Sequence, residues 1–352
     1  MVDSEKTLAT ATTSTSSWFL ARHLEKAGLR GPRMKFWFAY VAAFYVLWAF
    51  LAFGLGNWEQ TLAHWRISIV MIFGSLVAGS TPMGGGTVAF PVLVLIFGQS
   101  PNIGRNFGLA IQALGMTSAM IFILCRRTPI QSRMLLWTSA GAAVGLLIGT
   151  FYVAPLVASS VVKLVFSCLW MSFGILTLAK NKEICALNRI EPVVGRQAAI
   201  EGLVVGVAGG IVVAMIGVGV EMMLYTVLVL LHRCDLKAAV PTAVSTMAVA
   251  SLMGTALHLA IGDIEREVLY NWLAAGPIVV FGAPCGAYLV SIIPRIRTLY
   301  FVSILCVIQF VWTLYQVKPT PEQWAFVATA MLVALSAFYV LYTKGKRRPA
   351  GL

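Results

Sequence analysis

Eight stretches of this chain are apolar over the length that a helix needs to cross a lipid hydrocarbon core, about 20 residues. They run over roughly 36–53, 107–125, 134–154, 161–179, 240–261, 271–290, 299–315 and 324–342. A chain with so many has lipid as its main solvent. Composition agrees, with 59% hydrophobic and only 11% charged residues, where a soluble domain is about half apolar and about a quarter charged. No segment of soluble composition is long enough to form a domain of its own. The expectation is an all-α polytopic membrane protein with about eight full transmembrane helices.

Two further regions, 67–97 and 198–231, are apolar but interrupted. The first breaks at Ser80-Thr81-Pro82-Met83-Gly84-Gly85-Gly86 and the second around Gly217-Val218-Gly219-Val220-Glu221. At least one arm of each is too short to span. The pattern predicts two re-entrant, broken-helix hairpins that return to the side they entered from. Irregular backbone at that depth is tolerated only where protein or a water-filled cavity covers it.

The net charge is +13. In a soluble protein this would point to nucleic acid, but here the Lys and Arg sit in short loops, where they orient the spans. With a cytoplasmic N-terminus and both hairpins returning, 21 of the 26 basic residues fall inside: in the N-terminal tail, near 126–133, 180–197, 232–238 and 291–298, and at the C-terminus. Arg66, Arg105, Lys163, Arg266 and Lys318 fall outside or at an edge. Both termini are then cytoplasmic. Residues 1–17 are rich in Ser, Thr and Ala and are expected to be disordered. Residues 18–27 fit a short amphipathic helix lying in the membrane interface, capped by Ser16 or Ser17. The charged tail ahead of the first apolar run is too long for a cleaved signal peptide. The six cysteines form no C-x-x-C pair and are expected to pack, with no metal site and no cofactor.

The chain also resembles itself at a shift of 135 residues. Gly84 then faces Gly219, and Val92-Leu93-Val94-Leu95 faces Val227-Leu228-Val229-Leu230. Each broken region leads through a polar stretch into three full spans. With the charges above, the first hairpin enters from outside and the second from inside, so the halves form an inverted repeat. The resulting segments are a tail over 1–35, a first span over 36–53, repeats over 67–180 and 198–315, a last span over 324–342 and a basic tail over 343–352. Inverted repeats with interrupted helices are a recurring transporter plan, with the substrate near the midplane where the breaks meet.

The breaks carry the chemistry. A helix start exposes unpaired N–H groups and partial positive charge, which suits an anion. Bare backbone at Gly84, Gly85, Gly86, Gly217 and Gly219 lets a ligand approach closely. Thr81, Thr87, Asn106 and Thr242 are expected to add polar contacts, and Arg105 to draw in or clamp an anion. Glu221 is an ionisable residue in an apolar stretch, hence a candidate for function and for proton coupling. Its structural alternative is a carboxylate capping helix-start amides. Glu201 reads as interfacial.

At these residues a family resemblance enters. Gly217-Val218-Gly219-Val220-Glu221-Met222-Met223-Leu224 and Ala239-Val240-Pro241-Thr242-Ala243-Val244-Ser245 resemble the twice-repeated signature of the TauE/SafE family of sulfite and organosulfonate exporters. That signature is a Gly-rich break, an apolar arm ending in Pro, and a small-residue stretch close to A-V-G-T-S. Pro82-Met83-Gly84-Gly85-Gly86 and Pro91 form the first copy, and the resemblance covers about 67 to 315. The second copy departs at Val220, Glu221 and Thr226, and the first has Gly104-Arg105-Asn106-Phe107 in place of A-V-G-T. The resemblance implies movement of sulfite, sulfonates or similar sulfur oxyanions across the inner, plasma membrane. The expected partners are a small anion and the lipid bilayer, with a homodimer left open. An anion channel is the alternative. An intramembrane enzyme is weaker, since the chain has no H-E-x-x-H and only four histidines.

Overall fold

The computed structural model describes residues 33–186, 190, 192–193 and 195–347, and every regular element among them is helical. The proposed interfacial helix over 18–27 and the end of the basic tail lie outside the described residues.

Among the described residues, eight helices are long and apolar enough to cross a membrane. They are α1 (Met34–Gly54), α5 (Pro101–Cys125), α6 (Ser132–Val153), α9 (Arg196–Ile216), α11 (Leu236–Ile261), α12 (Arg266–Ile292), α13 (Arg295–Val317) and α14 (Pro321–Arg347). Between them lie α2 (Trp58–Ala63), α3 (Trp65–Ser80), α4 (Gly86–Pro91), α7 (Ser159–Ala179), α8 (Asn181–Cys185) and α10 (Val220–Thr226). Seven of the eight predicted runs are recovered. The eighth, 161–179, falls in α7, whose apolar part is the shorter Lys163–Ala179, and α9 takes its place among the full-length helices. Helix α14 continues through Arg347, so the start of the basic tail is helical.

Both interrupted regions are helix–break–helix units. In each, a short arm doubles back on a longer one. A Cβ on Gly74 of α3 would lie 3.5 Å from Val88 of α4, and one on Gly209 of α9 would lie 2.7 Å from the Cα of Val220. Each short arm ends in a widened, π-type turn, Val92–Ile96 and Val227–Leu231. Those turns stand in the same 135-residue register as the sequence repeat. So do the next helix starts: Ser100 caps α5 by accepting the N–H of Ile103, and Asp235 caps α11 by accepting that of Lys237. Pro101 at the first helical position of α5 has no N–H to leave unpaired.

The halves of the sequence are interlocked. The long arm α3 packs along α12 of the second half, and α9 packs along α6 of the first. Small residues make both contacts possible. Gly141 and Gly145 of α6 meet Gly206 and Gly210 of α9, where an added Cβ would come within 2.2–2.5 Å of a facing carbonyl oxygen. Gly79 of α3 meets the carbonyl of Ala283 on α12 in the same way, at 1.8 Å. Helices α5 and α11 pack against each other. This arrangement carries the two breaks to the middle of the bundle. The outer helices turn large side chains such as Phe36, Val46, Leu332 and Val333 outward, as a lipid-facing surface does. Helix α14 is tied back to α8 by a hydrogen bond from the Tyr342 hydroxyl to Glu183, and this bond, with Lys346 nearby, holds the Glu183 carboxyl below the usual carboxylate range.

Candidate functional site

The breaks touch. A Cβ on Gly86 would sit 2.7 Å from Cγ1 of Val218, and the carbonyl of Gly217 accepts a 3.0 Å hydrogen bond from Nε2 of Gln112 on α5. Three of the break glycines hold positive φ: Gly84 at 70°, Gly217 at 80° and Gly219 at 136°. A side chain at such angles is strained, and here there is also no room for one. A Cβ on Gly84 would lie 2.4 Å from Oε1 of Gln112 and 2.7 Å from Oε1 of Glu221. Gly217 abuts the carbonyl of Arg105, and Gly219 abuts Phe166 and Val212. Gly85 is different: its φ is −72° and its nearest neighbour would be Ala78 Cβ at 3.4 Å, an ordinary contact.

Thr81 ends α3, its hydroxyl donating to the carbonyl of Val77 and accepting the N–H of Met83. It shapes the turn into the first break. Thr87 lies in the first turn of α4, and its side chain is outside the described residues. Glu221 is fully buried. Its Oε2 accepts the N–H of Gly219 at 3.0 Å, as a cap would, while its Oε1 has no hydrogen-bond partner among the described residues. Thr242 is not brought to the breaks. Its hydroxyl donates to Ala238 and accepts the N–H of Gln131, which fastens the α5–α6 connection to α11. Glu201 meets His232 at 2.7 Å and is largely covered.

Arg105 and Asn106 lie together at the start of α5. Arg105 Nη2 is 2.9 Å from Asp263 Oδ2, its Nε donates to Asn106 Oδ1, and Asn106 Nδ2 donates to the carbonyl of Asp263. His258 Nδ1 reaches the same carboxylate at 2.9 Å. The arginine is thus held and largely neutralised by its neighbours. It still lines a cavity of about 330 Å³ shared with Asn102, Pro155, Lys163, Met215 and Phe90. A second cavity, of about 30 Å³, lies at the breaks between Gly86, Val218, Ser167, Gln309 and Thr313. That is room for about two waters. Phe90 and Lys163 line both cavities, so this pair is the partition between them. Lys163 Nζ stands 4.6 Å over the Phe90 ring. Among the described residues it has no acidic partner, which makes it the uncompensated positive charge on the way to the breaks.

Gln112 and Lys163 escaped the sequence reading. Gln112 was legible as an amide in an apolar span. From sequence Lys163 reads only as an edge charge, since nothing local marks which helix it faces. The model of the sulfite exporter TauE/SafE family matches residues 67–311, more than half of the chain and both broken regions. The chain belongs to this family. No curated protein and no solved structure matches it. As a TauE/SafE member it is a multi-pass membrane protein of a family that transports sulfur compounds, in keeping with its eight long apolar helices. The matched region takes in both breaks, Arg105, Gln112, Lys163 and Glu221, and leaves α1 and α14 outside.

Proposed function

We propose that this TauE/SafE protein is a secondary transporter that exports a small sulfur oxyanion, sulfite or an organosulfonate, across the inner membrane. The anion is held between the two glycine breaks and exchanges with the outside through the cavity of Arg105, Asn102 and Lys163. Both broken regions return to the side they entered from, both termini are cytoplasmic, and the protein acts without a cofactor.

The observation that carries this reading is the Phe90–Lys163 partition. It places an uncompensated ammonium group between a 330 Å³ vestibule and the point where the breaks meet. A cation with no acidic partner, set among low-dielectric walls, attracts anions strongly. Bare backbone at Gly86 gives an oxyanion close access. The small volume at the breaks favours a carrier over a channel, because a conducting pore needs a continuous aqueous path and this one is closed to about 30 Å³. The Phe90–Lys163 pair would have to move for each anion to pass, in keeping with alternating access.

The test is counterflow in proteoliposomes. Vesicles loaded with unlabelled sulfite, taurine, sulfoacetate or sulfate are diluted into labelled sulfite. Saturable, trans-stimulated uptake with sulfite or a sulfonate inside supports the reading. Ohmic single-channel currents, or no exchange with any of the four, overturn it.

A further inference from the structure

Two buried oxygen atoms at the breaks come close to one point, and neither accepts a hydrogen bond among the described residues. Gln112 Oε1 and Glu221 Oε1 both lack a partner among the described residues, and both residues are at least 98% buried. They converge on the one point that a Gly84 Cβ would occupy, 2.4 Å from the first and 2.7 Å from the second. The amide cannot be turned to relieve this. Its Nε2 donates to two carbonyls, Gly108 at 2.8 Å and Gly217 at 3.0 Å, and reversing it would set an oxygen against both. The carboxyl is fixed as well, by the Gly219 N–H on Oε2.

An ionised carboxylate only accepts hydrogen bonds, whereas a protonated one carries a donor. Two unpartnered acceptors in an apolar interior are costly, and a single proton satisfies both at once. We propose that Glu221 and Gln112 form a proton-binding clasp: in this conformation the Glu221 carboxyl is protonated and donates from Oε1 to Gln112 Oε1. The bond joins the second break to α5 beside the first break. When the O–H bond breaks, the proton passes to water entering by the cavity at Gly86 and a carboxylate remains. The carboxylate and the amide oxygen then repel, and the breaks part. Movement of the anion is thereby coupled to movement of a proton. This rests on the transport reading above and supplies its coupling ion.

Two features favour a proton over a metal cation. Among the described residues only two buried side-chain oxygens at this point are unpartnered, whereas a hard cation takes about six to eight oxygen ligands. Both oxygens also lie within 2.7 Å of the one point that a Gly84 Cβ would take, which leaves no room for a hydrated ion there. The charged groups of the surrounding elements leave the clasp alone. Helix α11 carries only Lys237 and His258, at its two ends; α9 carries Arg196 and Glu201 in its first turns, and Glu201 is engaged by His232; α6 carries Arg133 at its start. On α5, Arg105 lies two turns from Gln112 and is engaged by Asp263. Lys163 of α7 lines the small cavity, which neither Glu221 nor Gln112 lines. No charge therefore compensates an ionised Glu221. The pair is also absent from the duplicated plan: at the 135-residue shift, Gly86 stands in place of Glu221 and Met247 in place of Gln112. A scaffold requirement would recur in both halves, and this one does not.

The experiment has one readout that needs no substrate and one that does. Infrared difference spectra of the purified full-length protein, titrated with pH, report a protonated carboxylic acid in an apolar site. The expected result is a band present in wild type, lost in Glu221→Gln, and titrating at lower pH by about one unit in Gln112→Met, which removes the acceptor. In proteoliposomes, an imposed pH gradient should drive sulfite accumulation by wild type and not by Glu221→Gln. An identical carboxylic band in wild type and Glu221→Gln overturns the clasp, as does flux that follows a sodium gradient and ignores the proton gradient. If the band behaves as expected while no sulfur oxyanion is exchanged, the clasp stands and the substrate reading falls.

Discussion

Arg105 at the start of α5 is held 2.9 Å from Asp263, a residue in the short connection between α11 and α12. The contact joins the first half of the sequence to the second beside the cavity that Arg105 lines, and it offsets the positive charge of Arg105. Asp263→Asn leaves that charge uncompensated. At an effective dielectric near 20, one charge about 10 Å away is worth on the order of 1–2 kcal/mol, so the half-saturating anion concentration should fall up to about tenfold at low salt. Added salt should erase the gain. Concentration series at two ionic strengths check this. The pair itself adds little to stability, because the Asp263 side chain is 37% exposed. A double-mutant cycle on thermal unfolding should return a coupling of about 1 kcal/mol or less.

Lys163 has no such partner, and its removal should act in the opposite direction. Lys163→Met keeps the aliphatic stem over Phe90 and deletes the charge. The half-saturating anion concentration should rise about tenfold with little change in unfolding temperature, since no ion pair is lost. Lys163→Arg should sit near wild type. Equal kinetics for Met and Lys at this position would remove the partition from the anion's path.

The three glycines of the first break should separate cleanly by stability. Gly84→Ala forces a side chain into positive φ and against two buried oxygens, a combined cost of about 3 kcal/mol. The apparent unfolding temperature in detergent should drop by roughly 5 °C or more. Gly85→Ala meets only an ordinary contact at an allowed φ, and a less flexible unfolded chain should leave it neutral or slightly stabilised. Gly86→Ala meets Val218 at 2.7 Å and should fall between them. Equal melting of the Gly84 and Gly85 variants would show that the Gly84 crowding relaxes freely.

The helical plan was legible because a span leaves a long, unambiguous apolar signature. Seven runs could be read within a few residues of their helices, and the two breaks could be read from glycine clusters in matching register. The exchange between 161–179 and α9 was harder. Helix α9 contains Gly202, Gly206, Gly209 and Gly210, and glycine next to Gly217 reads as part of a break when only the local sequence is seen. Gly202, Gly206 and Gly210 instead let α6 lie against the helix, and Gly209 admits Val220 of α10. The site was less legible than the fold. Glu221 stood out as a carboxyl in an apolar stretch, but the Gln112 amide near it lies 109 residues earlier, and only tertiary packing brings them together. Thr242 shared the family-like stretch with small residues, yet its hydroxyl serves Gln131. Arg105 could be read as a free cation because Asp263 is 158 residues away in sequence.

The two halves should cross the membrane in opposite directions. The charge asymmetry predicts that the loops around 54–66 and 262–270 face outward, and that those around 180–197 and 232–238 face the cytoplasm. The short arms give the physical reason for expecting both broken regions to return. Val220–Leu231 is a 12-residue arm, and at 1.5 Å per residue it covers about 18 Å of a hydrocarbon core about 30 Å thick. A full crossing by that arm would strand its polar ends in lipid. If it returns, the loop after it shares the side on which α9 begins, and the second half runs opposite to the first. Single cysteines on a Cys-less background, exposed to a membrane-impermeant maleimide, read this directly. Positions in 54–66 and 262–270 should label in intact spheroplasts. Positions in 232–238 should label only after permeabilisation, and so should those in 180–197. External labelling at Arg233→Cys in sealed cells would put α10 through the whole membrane and end the inverted arrangement. It would also move the Glu221 clasp away from the midplane, so the same labelling bears on where the coupled proton enters.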